Sequence, residues 1–376
     1  MFKNLGIALA ILSCFGASAQ VDLHRADALD APSRHAWNLF QIVNHPAANP
    51  AEGRGVPDLT KKIGAPGTTV VWETWRLARS EVFKDDGSKP PEWDDLSLKG
   101  GPTTGKVPDP PKNVLIAQLA ARQKSVAQSL RTGAKIKPLF DGEGIFQGSG
   151  GFGESRMNKA TYEFIRTNEL YSIEGQQRYA AAFFSGQKSA PTFPVESIEV
   201  KAAWVEFSAQ DIQVGKDQRF YLAEFNGKKY GLAALHILTK DTPNWFWATF
   251  HHKEAPVPDP QFGHGLGNGD AAGQPAAIKG TIWENYELGG TQTEFVDSIG
   301  RPTMLSDGLI EKGFVKSSCI SCHARSTVSG IANFPPLSSQ AVLGIPKSAE
   351  YMKDGKPALL QLDFLFSLSR ANSEKN

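Results

Sequence analysis

Residues 219–252 read RFYLAEFNGKKYGLAALHILTKDTPNWFWATFHH. Two apolar runs, 219–225 and 228–238, flank Asn226-Gly227. Both central residues of a type I′ turn need positive φ, which Asn and Gly tolerate, and the twist of that turn matches the twist of the flanking strands. The stretch therefore predicts a β-hairpin. A loop at 239–244 leads to a third strand at 245–252. Pairing around that loop sets Leu238 opposite Trp245, His236 opposite Trp247 and Leu232 opposite His251. Tyr230, Leu232, Ala234, His236, Trp245, Trp247 and His251 then share one face, and His252 lies on the other. This aromatic face, with a histidine in it, is the candidate wall of a cofactor or substrate cleft.

Outward from the hairpin, residues 195–207 alternate as another strand through Ile198, Val200, Ala202 and Trp204, and a strand pair is expected at 280–288 and 291–297 around Gly289-Gly290. Upstream the period is helical. Residues 27–45 carry Trp37, Leu39, Phe40, Ile42 and Val43 on one face, with His35 and His45 read as surface or capping residues. Residues 70–83 carry Trp72 and Trp75, residues 113–131 follow Asn113 as an N-cap, and residues 158–184 end near Gly186. Segments 84–112 and 255–279 are loops rich in Pro and Gly, the second containing His264. Gly148–Gly153 matches G-x-G-x-x-G but lacks a βαβ frame, and it reads as a loop passing close to a partner surface. The expected fold class is α+β. A helical and loop-rich region spans 20–190, an antiparallel β meander spans 191–300, and a cofactor-binding region spans 301–376, all able to pack as one domain.

The chemistry sits in that last region, at Cys319-Ile320-Ser321-Cys322-His323. C-x-x-C-H is the pattern for covalent attachment of a c-type haem. Two thiols two residues apart reach the two vinyl groups of one porphyrin edge, and the adjoining histidine supplies the proximal iron ligand. A thioredoxin-type dithiol would sit early in its domain between a strand and a helix, with a later proline against the sulfurs. Half a zinc site would need a second cysteine pair, which the sequence lacks.

The N-terminus reads as an export signal: Lys3, an apolar run Leu5–Leu12, and Ala17-Ser18-Ala19 before Gln20. Of three cysteines, Cys14 leaves with residues 1–19, so only Cys319 and Cys322 remain and no disulfide framework is expected. Haem attachment to such a motif takes place outside the cytoplasm, so signal and motif support each other, and the expected compartment is the periplasm. The 40 Lys and Arg against 39 Asp and Glu give a net charge of +1. That balance argues against nucleic acid or an anionic membrane as the main partner. No stretch after the signal is long and apolar enough to imply stable membrane insertion. There is no G-x-S-x-G or H-E-x-x-H motif that would suggest a hydrolase.

Several segments together resemble a family: Trp72-Glu73-Thr74-Trp75, Lys201-Ala202-Ala203-Trp204, Leu235-His236-Ile237 with Lys240, Trp245–Phe250 with His252, Ser318–Arg325 and Asp363-Phe364-Leu365. They resemble exported bacterial proteins described as cytochrome c family or cytochrome c domain-containing proteins. The resemblance implies covalent haem c and electron transfer. It implies no substrate. The chain departs from small cytochromes c, which carry the motif near the N-terminus and a ligating Met some tens of residues later. The expected function is that of a periplasmic monohaem cytochrome exchanging electrons with a redox partner protein. The rival expectations are a peroxidase-like haem oxidoreductase, whose substrate pocket lies in the β region, and a haem-based sensor. Cys319 and Cys322 attach the haem and His323 is the proximal ligand. The distal candidates are His236, on the aromatic face, and Met352, in the loop-rich tail after the motif. His251 and His252 follow as weaker candidates, since adjacent strand residues point to opposite faces.

Overall fold

Seven strands form one antiparallel sheet in the order β1 (Arg76–Leu77), β2 (Gly151–Met157), β3 (Ile198–Glu206), β5 (Lys228–Thr239), β6 (Phe246–His252) and β7 (Tyr286–Gln292). The remaining strand, β4 (Leu222–Phe225), shares one edge of β5 with β6: β4 pairs with Lys228–Gly231, and β6 with Ala234–Thr239. The computed structural model describes residues 25–49, 53–95, 151–225, 228–255, 269–307, 317–329 and 343–374. The export segment, the expected 113–131 helix, the Asn226-Gly227 turn and His264 lie outside the described residues. Helices surround a central antiparallel sheet, so the α+β class holds. Among the described residues no helix is long and apolar enough to cross a membrane.

Strand alternation gives the sheet two different faces. One face is the main core. Val200, Ala202 and Trp204 from β3, Leu235 and Ile237 from β5, and Phe246, Ala248 and Phe250 from β6 are buried together there. The Pro32–Val43 helix starts with proline at its first turn, where the missing N–H costs nothing. Its Phe40 ring packs on Phe250 at 4.5 Å, and Trp37 meets Phe250 at 5.0 Å. Asn44 ends this helix by donating Nδ2–H to the Phe40 carbonyl at 2.9 Å, and its Oδ1 accepts the Trp72 indole N–H at 3.0 Å. Two further helices, Lys159–Thr167 and Ile173–Phe184, are capped by Asn158 and Ser172.

The other face carries three rows of residues across the sheet. The first is Met157, Glu199, Leu238, Trp247 and Gln292. The second is Ser155, Lys201, His236, Thr249 and Gly290. The third is Gly153, Ala203, Ala234, His251 and Glu287.

Five sequence expectations need correction. Gly151–Gly153, expected to belong to a glycine-rich loop, instead begin strand β2 and pair with Ala203–Val205 of β3, inside the region expected to be helical and loop-rich. The β5–β6 loop closes on Thr239 and Phe246, so Leu238 lies opposite Trp247 and His236 opposite Thr249. Trp245 adopts φ +61° in the turn and cannot belong to the strand. Sliding both strands by one residue preserves the facing of His236, Trp247 and His251. Ala233 is an extra residue of β5 against β3, a bulge that moves Tyr230 and Leu232 to the core face, away from Ala234 and His236. The expected helix over 70–83 is a 3-10 turn (Val71–Thr74), the strand β1 and a π turn (Ala78–Val82), because Arg76 and Leu77 extend to pair with Met157 and Arg156. The expected strand pair around Gly289-Gly290 is the single strand β7, which absorbs Gly289 as a bulge opposite Thr249 and Phe250, while Ile282–Asn285 forms a 3-10 turn.

Because Phe250 joins the sheet to the Pro32–Val43 helix, Phe250→Ala is expected to lower unfolding free energy by about 3–5 kcal/mol. Denaturant melts check this, and a loss below about 1 kcal/mol would place Phe250 outside the cooperative core.

Candidate functional site

The motif forms a short helix, Cys319–His323, capped by the Ser318 hydroxyl, which accepts the Ser321 N–H at 3.2 Å. Gln292, at the end of the first row, fixes this helix from the sheet. Its Nε2–H donates to Ser318 Oγ at 2.8 Å, and its Oε1 accepts the Ile320 N–H at 3.0 Å. Ile320 and Ser321 are buried, whereas Cys319, Cys322 and His323 are half-buried. Spacings of three and four residues put Cys319, Cys322 and His323 on one side of the turn. Neither cysteine is in a disulfide, and the Cys319 thiol lies 3.1 Å from the Leu305 carbonyl.

His323 is held by three contacts. Its ring meets Trp247 of the first row edge-on at 4.5 Å and Phe366 at 5.7 Å. Its Nδ1 lies 2.8 Å from the Phe364 carbonyl oxygen. A carbonyl only accepts, so Nδ1 carries the proton and Nε2 keeps its lone pair. Burial drives the His323 pKa down to about 3 against the pull of that carbonyl, with Lys201 and His236 adding repulsion. The ring is therefore neutral at physiological pH, the state in which imidazole binds a metal.

The carbonyl is aimed by an unusual backbone. Asp363 and Phe364 both have positive φ, +46° and +68°, a conformation that costs L residues energy and persists only where neighbours enforce it. The enforcing contacts are visible. Asp363 Oδ1 accepts Lys240 Nζ–H at 2.5 Å, and Oδ2 accepts the Phe193 N–H at 2.7 Å. Lys240 also donates to the Pro243 carbonyl at 2.7 Å. Both charged side chains are buried. Burial pushes the Asp363 carboxyl up, and the Lys240 ammonium opposes that shift.

The sequence candidates separate on this frame. His236 is buried in the second row of the motif-bearing face, one row from Trp247, whose ring meets His323. His251 is on the same face but turns toward Glu287, at 3.7 Å. His252 points to the other face. It stacks on Phe220 at 3.4 Å, its Nε2 donates to the Arg219 carbonyl, and burial lowers its pKa to about 4. Met352 is 43% exposed on a two-stranded hairpin in which Met352–Lys353 pairs with Lys356–Pro357. His35 is not the surface or capping residue expected. It is fully buried, with Nε2 2.8 Å from Asp241. His45 lies against the Pro46 carbonyl.

No protein-family model matches the chain, and no curated protein or solved structure matches it either.

Sequence reasoning found the motif and the aromatic face but missed Gln292, Glu199 and the part played by Phe364. Lys240 and Asp363 were visible only as pieces of the resemblance, because 123 residues separate them. Lys240→Met would leave a buried carboxylate without its cation, so a loss of about 3–5 kcal/mol is expected. Equilibrium unfolding measures it, and stability within about 1 kcal/mol of the unsubstituted chain would show the pair to be solvated.

Proposed function

We propose that this chain is an exported monohaem c-type cytochrome that passes electrons to and from a partner protein. Cys319 and Cys322 hold the haem by thioethers, His323 ligates the iron through Nε2, and His236 is the sixth ligand. Haem c, when bound, supplies an iron that takes up and releases one electron. The observation that carries this reading is the Nδ1–H bond from His323 to the Phe364 carbonyl. Ligating histidines commonly donate their second nitrogen in this way, which fixes the tautomer and the ring plane.

Two further features support it. The two thiols share the half-buried side of one helical turn with His323. The row beyond His236 begins with Gly153, Ala203 and Ala234, small residues that offer little bulk to a flat group laid on the sheet. The choice of His236 over Met352 rests on burial: a ligand shielded from water suits a carrier better than an exposed thioether. The protein's part is to orient the iron ligand, to exclude water with Trp247 and Phe366, and to set the charge nearby through Lys201.

Matured in a host able to attach haem c, the protein is expected to keep haem stain on a denaturing gel. Cys322→Ala should reduce the stained fraction, and Cys319→Ala with Cys322→Ala should abolish it. Haem that leaves on denaturation would remove the assignment. The oxidised protein is expected to show no far-red sulfur-to-iron band, and the reduced protein to bind carbon monoxide only after His236→Ala. A far-red band lost in Met352→Ala would transfer the sixth ligand to Met352. Carbon monoxide binding by the unsubstituted protein would favour an open-site oxidoreductase or sensor.

A further inference from the structure

Glu199 is a buried carboxylate that the electron-transfer reading leaves without a task. It lies in the first row of the motif-bearing face, between Met157 and Leu238, and is 4% exposed. Its Oε2 accepts the Ser367 hydroxyl at 2.7 Å. Among the described residues no cation lies within salt-bridge distance of it. Ser367 follows Phe366, whose ring touches His323. Glu199 therefore sits one hydrogen bond and one aromatic ring from the proposed iron ligand.

The surrounding charges are few. Lys201 projects from the same strand to the same face, and Arg370 lies three residues beyond Ser367; both favour the carboxylate. On β5 the opposing residue, Leu238, is apolar, with His236 one row away and Lys240 committed to Asp363. On β2 the facing residues are Met157 and Ser155, which carry no charge. Desolvation outweighs these cations and raises the Glu199 carboxyl to about 7. A group balanced there changes protonation in response to one additional charge nearby.

We infer that Glu199 is a proton-binding site linked to the haem, so that the protein takes up one proton at this carboxylate as it takes up one electron. The inference rests on the haem reading. Ferric haem carries one more positive charge than ferrous haem and stabilises the carboxylate. Reduction removes that charge, and Glu199 binds a proton from solvent to form the neutral acid, which keeps its hydrogen bond with Ser367. The electron comes from the redox partner. Charge and proton balance at the site, and the carrier moves a net hydrogen atom equivalent.

The pKa is lower in the oxidised than in the reduced protein, and between the two values the potential falls as pH rises. Each tenfold change in proton concentration shifts a one-electron couple by up to 59 mV. The test is a potentiometric titration of the holoprotein between pH 5 and 9, roughly two units either side of the carboxyl's midpoint. Glu199→Gln is isosteric and can still accept from Ser367. The unsubstituted protein is expected to show the sloping window, and Glu199→Gln to be flat across it. The reduced-minus-oxidised infrared spectrum should contain a protonated-carboxyl stretch that Glu199→Gln removes. Should Glu199→Gln misfold, Ser367→Ala is expected to move the window to higher pH. A haem-bearing protein whose potential is flat, or whose slope and infrared band survive Glu199→Gln, overturns this inference and leaves the haem reading standing. A chain that carries no covalent haem overturns both.

Discussion

The hydrogen bond from His323 Nδ1 to the Phe364 carbonyl is the constraint on which the site depends. It fixes which nitrogen is free, the plane of the ring and the distance between the motif helix and the C-terminal segment. The carbonyl belongs to a turn in which Asp363 and Phe364 both occupy left-handed backbone. That backbone is held in turn by a buried ion pair with Lys240, just after β5. A buried ion pair is poor value as a stabiliser, since desolvation offsets most of the attraction. Its use here is geometric: it joins the end of a central strand to the residue that aims the carbonyl.

The sheet separates two tasks by alternation. Its core face is aromatic and closely packed against the Pro32–Val43 helix, with Phe40 against Phe250 and Trp72 against Trp204. The opposite face holds Gln292, Trp247, His236, Lys201 and Glu199 in adjoining rows. The core face makes the strands rigid, and rigid strands keep the polar rows in register. A site built on strands is held more tightly than one built on loops. This explains how five residues in the C-terminal quarter of the chain can be positioned by strands from its middle.

Local chemistry in the sequence was readable where one segment decides the outcome. Asn226-Gly227 between apolar runs gave a hairpin whose strands close on Phe225 and Lys228. The C-x-x-C-H spacing gave three groups on one helical turn. Alternation gave the facing of His236 and Trp247 correctly even with the register displaced, since the displacement preserved parity. The bulge at Ala233 left no trace, because neighbouring alanines look alike to either face. Trp72 and Trp75 suggested a helix, yet the pull of β2 on Arg76 and Leu77 is a tertiary interaction with residues some eighty positions away. Lys240 with Asp363, and Glu199 with Ser367, are likewise products of folding that no local pattern encodes.

The proposed role of this site stands or falls with a covalent haem at the Cys319–His323 turn. Proteolysis of denatured holoprotein followed by peptide mass mapping tests it most directly. The peptide containing Cys319 and Cys322 is expected to carry the mass of one haem, with no free thiol. That peptide bearing two free thiols or one disulfide, in protein matured alongside a haem c control that is fully loaded, would contradict it.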